Sequence, residues 1–389
     1  MVPFGGWDMP VWYTGNLEEH RTVREAAGLF DVSHMGCWDA RGPEAARFLN
    51  MMLVNDVHEL DVGQSQYTAF FGIDGMPLDD LLVYRLGAEH YFIVVNASNN
   101  DKDWAWITAV LNGTVQIDPQ RPWVKWTGTG VTLRDLRDEA SGADMRAELA
   151  LQGPRSQDIL LALGGSAQDM GRIKRLPWAG ITHVTLGDFD LVVSRTGYTG
   201  ERTAYELFVH PDRLVEFWQA LLAVGAPFRL KPCGLAARDS LRLEAGLPLY
   251  GHEMAGPLNL TMAEAGFDLY VKIGKPFFVG REAFIARDAR REGGVIRFGV
   301  PEKGPMPQHG DPVVDDKGKV VGFVTSCAID TEGQQVGQAY VRDAYTAENT
   351  HLAVLVSPRR EPKPRTQLAL GDRMQLPVEI VVLSRFPKR

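Results

Sequence analysis

The sequence predicts a mixed α+β chain that ends in a separate small all-β region. Two observations carry this. Up to about Glu292, stretches with the apolar spacing of a helix alternate with short apolar runs bounded by turn residues. After Glu292, short strands alternate with Gly, Pro and Asp turns. The chain has 389 residues, enough for two or three domains and a large core.

The elements follow in order. Asn16 to Gly28 reads as a helix, with Leu17, Val23, Ala26 and Ala27 on one stripe, Asn16 as cap and Gly28 as stop. Phe30 to Asp39 reads as a strand interrupted by a Ser33-His34-Met35-Gly36 turn. Gly42 to Leu53 is a second helix with Pro43 near its start. Strands are expected at Gln66–Phe71, Leu81–Leu86 and Tyr91–Val95, and a tryptophan-rich helix at Lys102–Leu111. From Gln116 to Met145 the periodicity fails at Pro119, Pro122, Gly128 and Gly130, so an exposed excursion is expected. A strand at Glu148–Gln152 and a helix from Gly153-Pro154 to Leu163 restore order. Strands are then expected at Leu186–Ser194 and Tyr205–Val209, and helices at Leu214–Val224 and Pro232–Ala245. The C-terminal strands are Val295–Val300, Val320–Thr325, Val336–Val341, Leu352–Val356 and Arg373–Ile380.

Composition narrows the function. A 45% hydrophobic and 23% charged chain is an ordinary soluble globular protein, and a net charge of -8 argues against a dedicated nucleic-acid binder. No apolar run approaches the ~20 residues that span a bilayer. The N-terminus lacks a charged region followed by an apolar one, so no signal peptide is expected. Cys37, Cys233 and Cys327 lie far apart, which predicts neither disulfides nor a zinc site and suits a reducing cytoplasm. No glycine-rich nucleotide loop, H-E-x-x-H or G-x-S-x-G occurs, and the nine histidines show no metal-ligand spacing. Chemistry is left to carboxylates, arginine and aromatics, with no metal, flavin or nicotinamide.

The most pointed local feature is Gly75-Met76-Pro77-Leu78-Asp79-Asp80-Leu81-Leu82-Val83-Tyr84. Two carboxylates sit where a turn meets an apolar run. A carboxylate there loses water on one side and must find a donor, find a cation or stay protonated. Such a group can hold an N–H-rich substrate; it can equally cap turn amides.

Further stretches stand with it: Phe4-Gly5-Gly6-Trp7-Asp8-Met9-Pro10, Phe30-Asp31-Val32-Ser33-His34-Met35-Gly36, Val94-Val95-Asn96-Ala97, Leu151-Gln152-Gly153-Pro154, Ser194-Arg195-Thr196-Gly197-Tyr198-Thr199-Gly200-Glu201, Lys231-Pro232-Cys233-Gly234 through Arg238-Asp239, and Phe278-Val279-Gly280-Arg281. Together, and in this order, they resemble the T-protein family of the glycine cleavage system, the tetrahydrofolate-dependent aminomethyltransferases. The resemblance spans about residues 4 to 285 and is looser in the C-terminal region. It implies a three-domain, cloverleaf α+β fold with a central folate channel and a C-terminal small β-barrel. The implied domains are 1–38 plus 146–252, 39–145 plus 253–288, and 289–389.

The resemblance also implies roles. Asp80 is the essential acid of transfer and Arg238 a second catalytic group. Met35, Tyr67, Tyr84, Asn96, Tyr198 and Glu206 fall on folate-site positions. Physically, Tyr67, Tyr84 and Tyr198 can offer faces to a pterin. Glu206 can accept two N–H groups from an aminopyrimidine edge, and Arg238 can tune Asp80 or bind ligand. Plainer roles exist for each: core packing for the tyrosines, a solvated strand position for Glu206, turn closure for His34, an ion-pair network for Arg238 with Asp239 and Glu244.

The implied reaction moves a one-carbon unit to tetrahydrofolate from an aminomethyl-lipoyl carrier, with the lipoylated H-protein as partner. An O-, S- or N-demethylase acting on a free small molecule is the alternative. A non-enzymatic folate binder of the iron–sulfur-assembly type is disfavoured, because Lys275-Pro276-Phe277-Phe278-Val279-Gly280-Arg281-Glu282 lacks the cysteine of that group. The chain departs from the family at Glu201-Arg202-Thr203-Ala204-Tyr205-Glu206, where a Gly is replaced and a charge inverted near the expected pterin site, and at Met262 and Cys327.

Overall fold

The computed structural model describes residues 1–302, 304–357 and 376–387. The chain folds as two units: Met1–Arg238 with Phe267–Arg290, and Asp239–Gly266 with Arg291–Arg389.

The first unit holds two large sheets. One has six strands in the order Ile181–Leu186, Phe189–Ser194, Ala204–Val209, Ala147–Gln152, Ala27–Asp31 and Leu230–Cys233, all antiparallel except the last pair. The other has five antiparallel strands in the order Ser65–Phe71, Pro77–Gly87, His90–Val95, Gly36–Arg41 and Thr132–Asp135.

Strand alternation sends successive side chains to opposite faces. In the five-stranded sheet, Leu81, Val83, Ile93 and Val95 share a core with Phe48 and Met52 of the helix Ala45–Met52 and Ile107 of the helix Asn100–Leu111. In the six-stranded sheet, Leu191, Val193 and Leu207 pack with Leu160 of the helix Ser156–Ala162, Ile173 of Ala167–Arg175 and Phe217 of Leu214–Gly225. The opposite faces meet each other: Tyr84, Phe92 and Val94 from one sheet join Ile181, Val192 and Phe208 from the other. Both faces of these strands are therefore buried, which is why they read as continuous apolar runs.

Several expectations change here. The first helix is Asn16–Glu25, not 16–28, and Gly28 sits in a strand, where a Cβ would fall 2.5 Å from Val23 and 2.7 Å from Cys233 Sγ. Leu186 and Ser194 belong to two strands joined by a turn at Gly187, and Pro232 lies in a strand ahead of the helix Leu235–Glu244. The 116–145 stretch is not simply an excursion. Ile117 and Trp126 enter the core, and Thr132–Asp135 forms the edge of the five-stranded sheet. The helix Ala167–Arg175 and the strand Ile181–Leu186 are not evident from the sequence, because charges interrupt the apolar residues of the helix and exposed His183 and Thr185 those of the strand.

Lys275 is structural. Its buried ammonium donates to the carbonyls of Asn50, Leu53 and Asn55 at 2.6, 2.7 and 2.8 Å, satisfying the end of the helix Ala45–Met52.

The second unit contains a closed barrel in the order Gly293–Gly299, Gln335–Arg342, Val320–Ile329, Pro312–Val314, His351–Val354 and Val378–Leu383. Phe298, Val324, Val341, Val354 and Ile380 fill it. Of the expected Arg373–Ile380 strand, residues 373–375 lie outside the described residues, and the strand itself runs Val378–Leu383. Buried Arg242 pairs with Glu253 at 2.7 Å and reaches Asp239 and Ser326 at 2.7 and 2.8 Å. This network, rather than one around Arg238, is the structural one, and its guanidinium holds the Glu253 carboxyl below its usual range against the cost of burial.

Candidate active site

Asp79 and Asp80 lie inside the strand Pro77–Gly87, not at its mouth. Alternation separates them. Asp79 pairs across the ladder with core residue Phe70, and Asp80 pairs with Ala69. Asp79 is sealed from solvent, whereas Asp80 keeps partial exposure on the face that carries Tyr84.

Both oxygens of Asp80 are held. The Tyr67 hydroxyl donates to Oδ2 at 2.7 Å and Asn96 Nδ2 to Oδ1 at 3.0 Å. Asn96 Nδ2 also lies 2.9 Å from Asp79 Oδ1, and the Asn96 backbone N–H donates to Asp79 Oδ2 at 3.0 Å. One asparagine thus ties the two carboxyls together. Burial and the neighbouring Asp79 charge push the Asp80 carboxyl up to about 7, against the stabilising bonds from Tyr67 and Asn96. The Tyr67 phenol is pushed well up by burial and Asp80, so it stays a donor. Its ring is fixed edge-on by Phe267 and Tyr270, with centroids 5.3 and 4.8 Å away.

A second acidic centre lies on the six-stranded sheet. Glu206 accepts from the Tyr84 hydroxyl at 2.8 Å and from Thr196 Oγ1. Burial raises its carboxyl, and Arg238 is among the groups that oppose this. Glu148, on the same face of the adjacent strand, is pushed well up by burial and by Glu206, and among the described residues its Oε2 finds no partner. Arg238 lies over the Tyr198 ring at 5.4 Å. It also lines a small cleft with Met9, Pro10, Phe30 and Asp31.

Each sequence-predicted residue has a place here. Asp80, Tyr67 and Asn96 form one group; Glu206, Tyr84, Tyr198 and Arg238 form another; Met35 packs at the inter-sheet cluster. Two expectations are corrected. Tyr84 is fully buried against Phe92 and Phe208, so it offers its hydroxyl to Glu206 and no face to a ligand. The charge that tunes Asp80 comes from Asp79, while Arg238 acts on Glu206, Glu148 and His34. The His34 ring makes no hydrogen bond to its own turn. It is 1% exposed, both ring nitrogens are without a partner among the described residues, and burial with Arg238 and Arg137 drives it down to about 3, so it is neutral. Arg202, the inverted charge near the expected pterin site, is exposed. Thr196, Glu148, Asn99 and Asp103 were missed as site residues. Thr196 stood within a quoted motif; the other three gave no local signal.

Among the described residues no His, Cys, Asp and Glu cluster could hold a metal, and no helix is long and apolar enough to cross a membrane.

Residues 1–275 match the family model described as the GCVT N-terminal domain. The chain is 40% identical over 364 residues to an aminomethyltransferase of Symbiobacterium thermophilum, covering 92% of this chain and 90% of that protein. It is 41% identical over 355 residues to one of Streptomyces avermitilis, covering 90% and 87%. Its fold is similar to the solved glycine cleavage system aminomethyltransferase T from Bartonella henselae, with a TM-score of 0.78, 28% identity and coverage of 98% of this chain and 92% of that one.

Proposed function

The chain belongs to the glycine-cleavage T-protein family of tetrahydrofolate-dependent aminomethyltransferases, and we propose that the Asp80 face is where the one-carbon unit is passed on. The donor is an aminomethylated lipoyl group carried by a partner protein, and the products are methylenetetrahydrofolate, ammonia and the reduced lipoyl thiols. The reaction belongs to the cytoplasm, which suits three free cysteines.

The observation that carries the reading is the twofold grip on Asp80. Tyr67 and Asn96 fix each oxygen, so the carboxylate is aimed before any ligand arrives. The residues also suit a folate. Glu206, steadied by two hydroxyl donors, has lone pairs left for an N–H-rich heterocycle edge. Tyr198 is partly exposed and can stack. Bound tetrahydrofolate supplies the accepting nitrogen. Asp80 orients that nitrogen and stabilises the positive charge that develops beside it. Glu206 and Tyr198 hold the ring system, with Arg238 bracing Tyr198 from the other face, and Met35 borders the site.

The test is turnover with tetrahydrofolate and an aminomethylated lipoyl carrier. Asp80→Asn should lower kcat by about a hundredfold or more while folate affinity stays within about tenfold, because the charge counts most in the transition state. Unchanged turnover would remove Asp80 from the chemistry. Wild-type protein that forms no methylenetetrahydrofolate from the carrier, yet demethylates a free small molecule, would move the chain to the alternative.

A further inference from the structure

Behind the Asp79–Asp80 pair lies a third carboxyl. Asp103, in the first turn of the helix Asn100–Leu111, is 0% exposed. Among the described residues, neither of its oxygens accepts a hydrogen bond. The nearest cation is Lys102, 4.0 Å away, and its ammonium donates instead to Leu78 O and to Asn99 Oδ1. Asp103 lies beside Asp79: Asn99, one helical turn before it, donates to Asp79 Oδ1, and Asp79 is the first of the charges that act on Asp103.

Two buried carboxyls in contact cannot both be anions without a large cost. The donors decide which one is charged. Asp79 receives the Asn96 backbone N–H, the Asn96 amide and the Asn99 amide. Asp103 receives none. An anion belongs where the N–H groups point, and a neutral acid belongs where there are none.

We propose that Asp103 is a neutral carboxylic acid that donates its O–H to Asp79 and thereby acts as a positioning residue for Asp80. The chain of contacts is continuous. Asp103 steadies the Asp79 anion, Asp79 fixes the Asn96 amide, and Asn96 Nδ2 holds Asp80 Oδ1. Asn96 can point its amide hydrogens at Asp80 only while Asp79 is an acceptor; a protonated Asp79 would compete for the amide oxygen. The charged and titratable groups that act on Asp103 are Asp79, Lys102 and Asp80, and burial with Asp79 and Asp80 drives its carboxyl up to about 10 against Lys102.

This inference rests on Asp80 acting in transfer, so its test reads the proton and the turnover separately. Infrared spectroscopy of the protein without ligand should show a buried carboxylic-acid C=O stretch at about pH 8, above the titration of Asp80. Because Glu148 and Glu206 are also raised by burial, the band is read as a difference: Asp103→Asn should lose one acid component relative to the wild type, and Asp80→Asn should lose none. In the assay, Asp103→Leu should lower kcat about tenfold with KM for tetrahydrofolate within threefold, and Asp103→Asn, which keeps an N–H donor for Asp79, should restore kcat to within about threefold. A purely structural role would lower thermal stability in both variants without separating their kcat values. No acid band in the wild type, or an acid band of unchanged intensity in Asp103→Asn, overturns the protonation. Equal kcat in Asp103→Leu and wild type overturns the positioning role. An intact band in a wild type that transfers nothing would leave the proton assignment standing and refute the transfer reading. If Asp103→Leu does not fold, the infrared result and Asp103→Asn still decide.

Discussion

Asp80 illustrates how one residue's neighbours set its pH behaviour. Its carboxyl is raised to about 7 by burial and by Asp79, and the proposed role needs the ionised form. Above about pH 7 the carboxylate is present; as pH falls through 7 it is neutralised. The ligand-free protein should therefore show kcat/KM falling about tenfold per unit below about pH 7, since that ratio reports the free enzyme. Asn96→Ala removes one of the bonds that favour the anion, so the limb should move to higher pH. A limb left in place by Asn96→Ala would mean that another group sets it. Asp79, one position away, is also raised by burial, but alternation turns it toward the helices, where three N–H contacts oppose that rise.

At the scale of elements, the strand Pro77–Gly87 depends on how it is entered. Gly75 has φ +76°, and a Cβ there would lie 2.3 Å from the Phe284 backbone nitrogen in the helix Arg281–Asp288. Both the left-handed backbone and the close approach demand glycine. Gly75→Ala should cost about 1–3 kcal/mol or more in urea denaturation, because backbone atoms must move. It should also loosen the start of the strand carrying Asp80; a loss within 0.5 kcal/mol would show that the turn adapts. The same strand shows what was legible in the sequence. Leu81-Leu82-Val83-Tyr84 announced itself by apolar, β-favouring residues. Pro77, Asp79 and Asp80 did not, since all three are poor strand formers. Their cost is met by tertiary donors far along the chain, Asn96 and Asn99, which no local pattern reveals. Pairings such as Tyr84 with Glu206 join residues 122 positions apart. The roles of Asp80, Glu206 and Arg238 came from resemblance, and their partners came only from the fold. Asp103 and Glu148 were invisible as site residues because a buried acid on a helix or strand looks like a solvated one until its surroundings are known.

For the whole molecule, the division of labour between the two units sets the last prediction. Asp80, Asn96, Tyr67, Tyr198, Glu206 and Arg238 all belong to the unit made of Met1–Arg238 and Phe267–Arg290. A ligand that binds only the folded form stabilises what it touches by about 2.7 kcal/mol at a hundredfold excess over Kd. Hydrogen exchange with and without tetrahydrofolate should therefore show slowed exchange in Ser65–Phe71, Pro77–Gly87 and Ala204–Val209, the strands that carry Tyr67, Asp80 and Glu206. Local openings report on exchange more sensitively than global unfolding, so protection should be largest where side chains meet the ligand. Glu206→Gln converts half of a doubly accepting carboxylate into a donor facing N–H groups, and should weaken binding by about tenfold or more. At a fixed folate concentration near the wild-type Kd, that variant should lose most of the protection in all three strands together, since one ligand links them. Protection confined to the barrel strands between Gly293 and Leu383 would place the folate site in the other unit and refute the assignment of Asp80 and Glu206 to it.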